Sequence, residues 1–124
     1  MPSKGEKLQI FETELDIPSS INERLRGSRF KSRKLKNWEQ HSGWKVKTST
    51  TEKTTEEVNV FIMANINRRR DIDNIIKPIL DILQYGPIKN DNQVHQVTAR
   101  RASPADKLDK NRARIVVFRT RDKI

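Results

Sequence analysis

Between positions 58 and 66 the chain alternates in hydropathy: Val58, Val60, Ile62, Ala64 and Ile66 share one parity, with Phe61 and Met63 on the other. Period-2 alternation predicts a β-strand, and apolar residues of both parities mean that each face of it is at least partly covered. A few residues later the period changes. Ile76, Ile79, Leu80 and Leu83 fall at helical spacing and predict a helix over 74–84. Proline has no backbone N–H to give to the preceding turn, so Pro78 fits only in the first turn and sets the helix start near 74–77. Tyr85-Gly86-Pro87 stops it. Any fold for this chain has to pack that strand and that helix together.

The other elements are weaker. Residues 7–17 alternate loosely and read as an opening strand, closed by Pro18-Ser19-Ser20. A long basic loop of about 19–36 follows, with Gly27 and no apolar period. A helix is predicted over about 32–41, with Leu35 and Trp38 three apart and Ser42-Gly43 ending it. Residues 44–47 read as a short strand or as more helix, and the Thr/Glu-rich segment 48–57 as a loop or hairpin tip. Residues 94–101 and 114–120 read as two strands joined by the turn-rich SPADKLDKN. The resulting order is β-α-β-α-β-β: an α+β fold, one small domain over 1–124, with a mixed sheet and two helices.

Of the 124 residues, 33% are hydrophobic, and the mean hydropathy is −0.86. The core is therefore small, and pairing with a second copy would enlarge it. There are no cysteines, which removes disulfides, thiolate metal sites and cysteine nucleophiles. No apolar run is long enough for a membrane span or a secretion signal, so a cytoplasmic protein without a membrane partner is expected. Lys and Arg number 26 against 16 acids, a formal charge of +10, and the excess is uneven. Residues 19–54 hold ten cations against three acids, and residues 100–124 hold nine against three. A polyanion is the expected partner, nucleic acid first among them.

In so cationic a chain the informative side chains are acids. Asp71 and Asp73 follow Arg68-Arg69-Arg70 directly. Read as the end of the strand, they present both carboxylates on one side, with Ile72 on the other. Two neighbouring carboxylates repel unless a cation compensates; the arginines supply part of this, and a divalent metal would supply more. Asp91 can return beside the pair after the helix and its turn. Lys77, four residues after Asp73, leans back along the helix toward the same end, where an ammonium can stabilise charge building on a phosphodiester. Asp81, four residues beyond Lys77, is explained more simply as its ion-pair partner. Each residue has a plainer use, as a helix cap, a local ion pair or a solvated stretch. The juxtaposition of an arginine run with paired acids is what those uses leave unexplained. His41 reads as a surface residue, and His95 could face the acids. No Gly-rich phosphate loop and no serine-nucleophile elbow occurs.

The stretch Arg68-Arg69-Arg70-Asp71-Ile72-Asp73-Asn74-Ile75-Ile76-Lys77-Pro78-Ile79-Leu80-Asp81-Ile82-Leu83, with Lys89-Asn90-Asp91-Asn92-Gln93-Val94 after it, resembles the RusA family of Holliday-junction resolvases. That family's pattern is a basic run, D-x-D-N-x-x-K-x-x-x-D-x-L, then an acidic pair ahead of Q-V. The match is good over about 58–101 and puts the catalytic segment at about 66–94. The resemblance implies a homodimeric, Mg²⁺-dependent endonuclease, with Mn²⁺ as a possible substitute, that cuts four-way DNA junctions by paired nicks in opposing strands. It implies Asp71, Asp73 and Asp91 as metal ligands and Lys77 as the cation that stabilises the transition state. Products would carry a 5′-phosphate and a 3′-hydroxyl. Arg68, Arg69, Arg70, Asn74 and Lys89, with Arg24, Arg26, Arg29, Lys31 and Arg33 of the basic loop, would grip DNA through phosphates, which positions without reading sequence. A bacterial or phage source is implied in the same way. Where family members often carry two adjacent acids this chain has Asn90-Asp91, and Asp91 aligns with the second. Two other readings fit the charge: a non-catalytic DNA- or RNA-binding protein whose acids only cap a helix, and a nuclease acting on flaps or forks.

Overall fold

A computed structural model describes residues 8–18 and 33–120. In chain order the elements are β1 (Gln9–Asp16), α1 (Arg33–Ser49), β2 (Val58–Ala64), α2 (Ile76–Leu83), β3 (Val94–Arg101) and β4 (Arg112–Arg119). This is the predicted order. The strands form one sheet, β1-β4-β2-β3. β4 runs antiparallel to both of its neighbours, while β2 and β3 pair in parallel, so the sheet is mixed.

The alternation of β2 sets the layers. Val58, Val60, Ile62 and Ala64 join Ala113, Ile115 and Val117 of β4 in one core with Leu35, Trp38 and Val46 of α1 and Ile79, Ile82 and Leu83 of α2. Both helices thus cover one face of the sheet. Phe61 and Met63 lie on the other face, beside Val116 and Phe118 of β4. α1 is locked to β1 by two donors: Trp38 Nε1 gives to Asp16 O at 2.6 Å and Lys45 Nζ gives to Glu14 O at 2.6 Å.

One sequence expectation changes. Ser42-Gly43 does not end α1, which runs on to Ser49 and absorbs residues 44–47 as helix. Leu35, Trp38, Ser42 and Val46 form one buried stripe at spacings of three and four, so the small residues serve a close approach rather than a stop. A Cβ on Gly43 would stand 3.0 Å from the Tyr85 ring. Of the two readings of the segment after α1, loop or hairpin tip, the loop holds: Thr54 bridges in parallel to Ile88 and donates its N–H to Pro87 O at 2.9 Å.

α2 opens as expected, with Pro78 in its first turn and a 3-10 turn (Ile72–Ile75) ahead of it. Further 3-10 turns occupy Asp91–Gln93 and Pro104–Asp106. Among the described residues no helix is long and apolar enough to cross a membrane.

Candidate active site

The segment that leaves β2 is folded by its own side chains. Asn67 accepts the Arg69 N–H on Oδ1 at 2.9 Å and the Arg70 N–H on its carbonyl at 3.0 Å, which turns the chain out of the sheet. β2 has already ended at Ala64, so Asp71 and Asp73 do not sit on a strand. Asp71 is the residue ahead of the 3-10 turn and Asp73 lies inside it. Both aspartates are exposed, while Ile72 is half-buried against the core.

Arg101, at the end of β3, holds this loop. Its guanidinium donates to Ile66 O at 3.3 Å, Asn67 O at 3.2 Å and Arg70 O at 2.6 Å. A planar fork with five N–H groups suits three carbonyls presented together. Of the arginine run, Arg68 and Arg69 are exposed, whereas Arg70 is half-buried and donates to Pro18 O at 2.7 Å. Arg70 therefore ties the loop to the residue that leads into the basic segment. Arg24, Arg26, Arg29 and Lys31 lie outside the described residues. Arg33 begins α1 and is exposed.

On α2, Lys77 Nζ lies 2.9 Å from Asp81 Oδ1 and 3.3 Å from Asp91 Oδ2. The hydrogen bond to Asp81 and then that to Asp91 raise its pKa above the ordinary value of 10.5. Lys77 is thus a fixed cation at neutral pH and cannot serve there as a base. Asp81 makes the local pair read from its spacing, and Asp91 is brought to α2 by the same ammonium. The turn carrying Asp91 is built by its neighbours. Asn90 Oδ1 caps it, accepting from Asn92 N at 2.9 Å. Gln93 Oε1 accepts from the Lys89 and Asn90 N–H groups at 2.8 and 3.0 Å. Gln93 Nε2 donates to Thr54 O and Glu56 O, both at 2.9 Å. Asn90 therefore has a capping use that Asp would fill equally well.

Among the described residues no three His, Cys, Asp or Glu side chains are gathered closely enough to hold a metal ion. Asp71 and Asp73 nevertheless offer two exposed carboxylates with no ion pair among the described residues. That set fits Mg²⁺, which typically takes one or two carboxylates plus water and substrate phosphate. Lys89 is exposed and Asn74 half-exposed. His95 turns to Glu57, with Nδ1 3.7 Å from Oε2, and His41 is exposed within α1. Arg101 and Gln93, which position the two acidic segments, escape a sequence reading. Their partners lie 31 to 35 and 37 to 39 residues away, and no local spacing signals them.

Residues 19–118 match the family model described as endodeoxyribonuclease RusA. The chain is also similar to the crossover junction endodeoxyribonuclease RusA of Aquifex aeolicus (strain VF5), with 30% identity over 104 residues, which span 78% of this chain and 82% of that protein.

Proposed function

Because the chain belongs to the RusA family of endodeoxyribonucleases, we propose that it resolves four-way DNA junctions by metal-dependent hydrolysis of paired phosphodiesters, in recombination and repair in a bacterial cytoplasm. The observation that carries this reading is Lys77, a permanent cation held by Asp81 and Asp91 on the helix that follows exposed Asp71 and Asp73. Asp71 and Asp73, with Asp91 as third ligand, would hold Mg²⁺ or Mn²⁺. A metal so held supplies Lewis-acid polarisation of the phosphate and a reactive water at neutral pH. Lys77 offsets negative charge that builds on the scissile phosphate, and its two carboxylate partners fix where that charge stands. Arg68, Arg69, Asn74, Lys89 and Arg33, together with the basic segment, grip the arms through phosphates, and Arg70 divides its donors between DNA and Pro18.

A labelled four-way junction incubated with Mg²⁺ or with EDTA, beside linear duplex and flap substrates, tests the reading. Symmetric nicking of the junction that needs metal supports it. Junctions bound but never nicked with Mg²⁺ or Mn²⁺ point to a non-catalytic binder, and preferred cutting of flaps to a different nuclease. Asp73→Asn is expected to lower cutting by on the order of a hundredfold or more while leaving junction binding intact.

The working form is a homodimer, since a two-fold junction with two cuts is matched by a two-fold enzyme with two sites. The sheet face away from the helices suits that contact. It carries Phe61, Met63, Val116 and Phe118, and Asn59 Oδ1 is buried there without a partner among the described residues. Its charges are paired within the chain: Arg112 with Asp16 at 2.9 Å, Arg114 with Glu14 at 2.9 Å and Arg100 with Asp106 at 3.1 Å. A face neutralised in this way can meet its own copy without the repulsion that a charge of +10 imposes elsewhere.

A further inference from the structure

Trp44 and Tyr85 are the two large apolar side chains that stand mostly exposed among the described residues, at 65% and 57%. They share one groove of about 680 Å³ between the outer side of α1 and the turn after α2. Gly43 makes the groove possible, because the Tyr85 ring lies where a Cβ on residue 43 would come within 3.0 Å. The ring is thereby laid against α1 beside the indole of the next residue. The rim carries Arg33, Lys36 and Lys47 against Glu39, a local excess of two positive charges (three minus one). None of the three cations makes an ion pair among the described residues.

Tyr85, in the turn that closes α2, links the groove to that helix. Lys77, Asp81 and Tyr85 follow one another at steps of four along α2 and into its closing turn. The span from Lys77 to Tyr85 is on the order of 12 Å at helical rise, about three to four nucleotide steps. Two aromatic faces inside a basic rim are what a base with flanking phosphates requires, and a base of any identity stacks on them. A second copy of this chain would instead bring two cationic rims together.

We propose that the Trp44–Tyr85 groove takes a nucleobase unpaired or unstacked at the branch point, a few nucleotides from the phosphate cut at Lys77. The inference rests on the branched-DNA reading above. The groove orders the strand leaving the site and favours branched over continuous duplex, because a fully stacked duplex has no base to give.

The test is a binding titration of the full-length protein in EDTA, so that no cleavage is needed. The probes are a four-way junction with 2-aminopurine at the branch, a twelve-residue oligothymidylate and a linear duplex. Trp44→Ala and Tyr85→Ala are expected to weaken junction and oligothymidylate binding about tenfold, with duplex binding changed less than about twofold. Trp44→Phe is expected to restore most of the loss. In the wild type, tryptophan fluorescence should be quenched by the junction and by oligothymidylate but not by duplex; Trp38, with its indole N–H bound to Asp16, is the constant background. Equal junction binding by all variants overturns the groove and leaves the nuclease reading standing. Failure of the wild type to bind any junction overturns that reading and the groove with it. Dissociation of a wild-type dimer by Trp44→Ala in sedimentation makes the groove a contact between copies and overturns the proposal.

Discussion

Lys77 shows how a single side chain is given one job. Its two carboxylate partners raise its pKa, so the folded protein holds the proton more tightly than the unfolded chain does. The stabilisation that follows is complete below the ordinary lysine range and fades as pH rises through the raised value. We expect the gap in unfolding temperature between wild type and Lys77→Met to be constant from neutral pH to about pH 10 and to close above it, read by thermal unfolding in a pH series. By the same sign, the pH profile of junction cutting between about 6 and 9 should show no ionisation from Lys77. Arg101 works through geometry instead. Lysine keeps the charge but cannot present a planar fork to the carbonyls of Ile66, Asn67 and Arg70 at once. Arg101→Lys is expected to slow cutting on the order of ten- to a hundredfold, because the loop that sets Asp71 is released. Junction affinity measured in EDTA should hold within a few-fold.

At the scale of elements, the turn after α2 is fixed against the end of α1. A Cβ on Gly86 would stand 2.7 Å from Val46 Cγ1 and 3.0 Å from the Val46 carbonyl, with Thr50 Oγ1 closer still. Backbone and a β-branched side chain cannot retreat as a surface ring can. Gly86→Ala is expected to cost about 1–3 kcal/mol through overpacking, seen as a lower denaturant midpoint at unchanged slope, while Gly43→Ala costs less because exposed Tyr85 can swing away. Elements of this kind mark where sequence reading stops. The strand of Val58 to Ala64, the first-turn proline of α2 and the i,i+4 pair of Lys77 with Asp81 are local patterns, legible because period and spacing carry them. The full length of α1 was legible in principle, since the stripe of Leu35, Trp38 and Val46 passes through Ser42, but small residues in a helix read as a stop until their partner is known. Contacts such as Lys77 with Asp91 or Arg70 with Pro18 depend on how separate segments meet, and no spacing encodes that. Strand alternation does not place the two aspartates, because β2 ends at Ala64 and the Asn67 turn carries the chain out of the sheet, leaving both exposed.

At the scale of the whole molecule, charge is sorted by face. The sheet surface around Phe61 and Phe118 has its arginines paired with acids of β1 and of the turn after β3, whereas Arg33, Lys36 and Lys47 of α1 and Arg68 and Arg69 stand toward solvent. A Phe118→Arg substitution places an unpaired cation on the neutral face. On the homodimer proposed above, it is expected to shift the protein from dimer to monomer in sedimentation velocity and to reduce paired nicking to single nicks. The bond from Arg70 to Pro18 joins these scales. Pro18 is the point from which the basic segment departs, and Arg70 is the last residue before the acids. Under the proposed grip on DNA, a pull on that segment reaches the loop of Asp71 through the Arg70 guanidinium, and the same loop is held to β3 by Arg101.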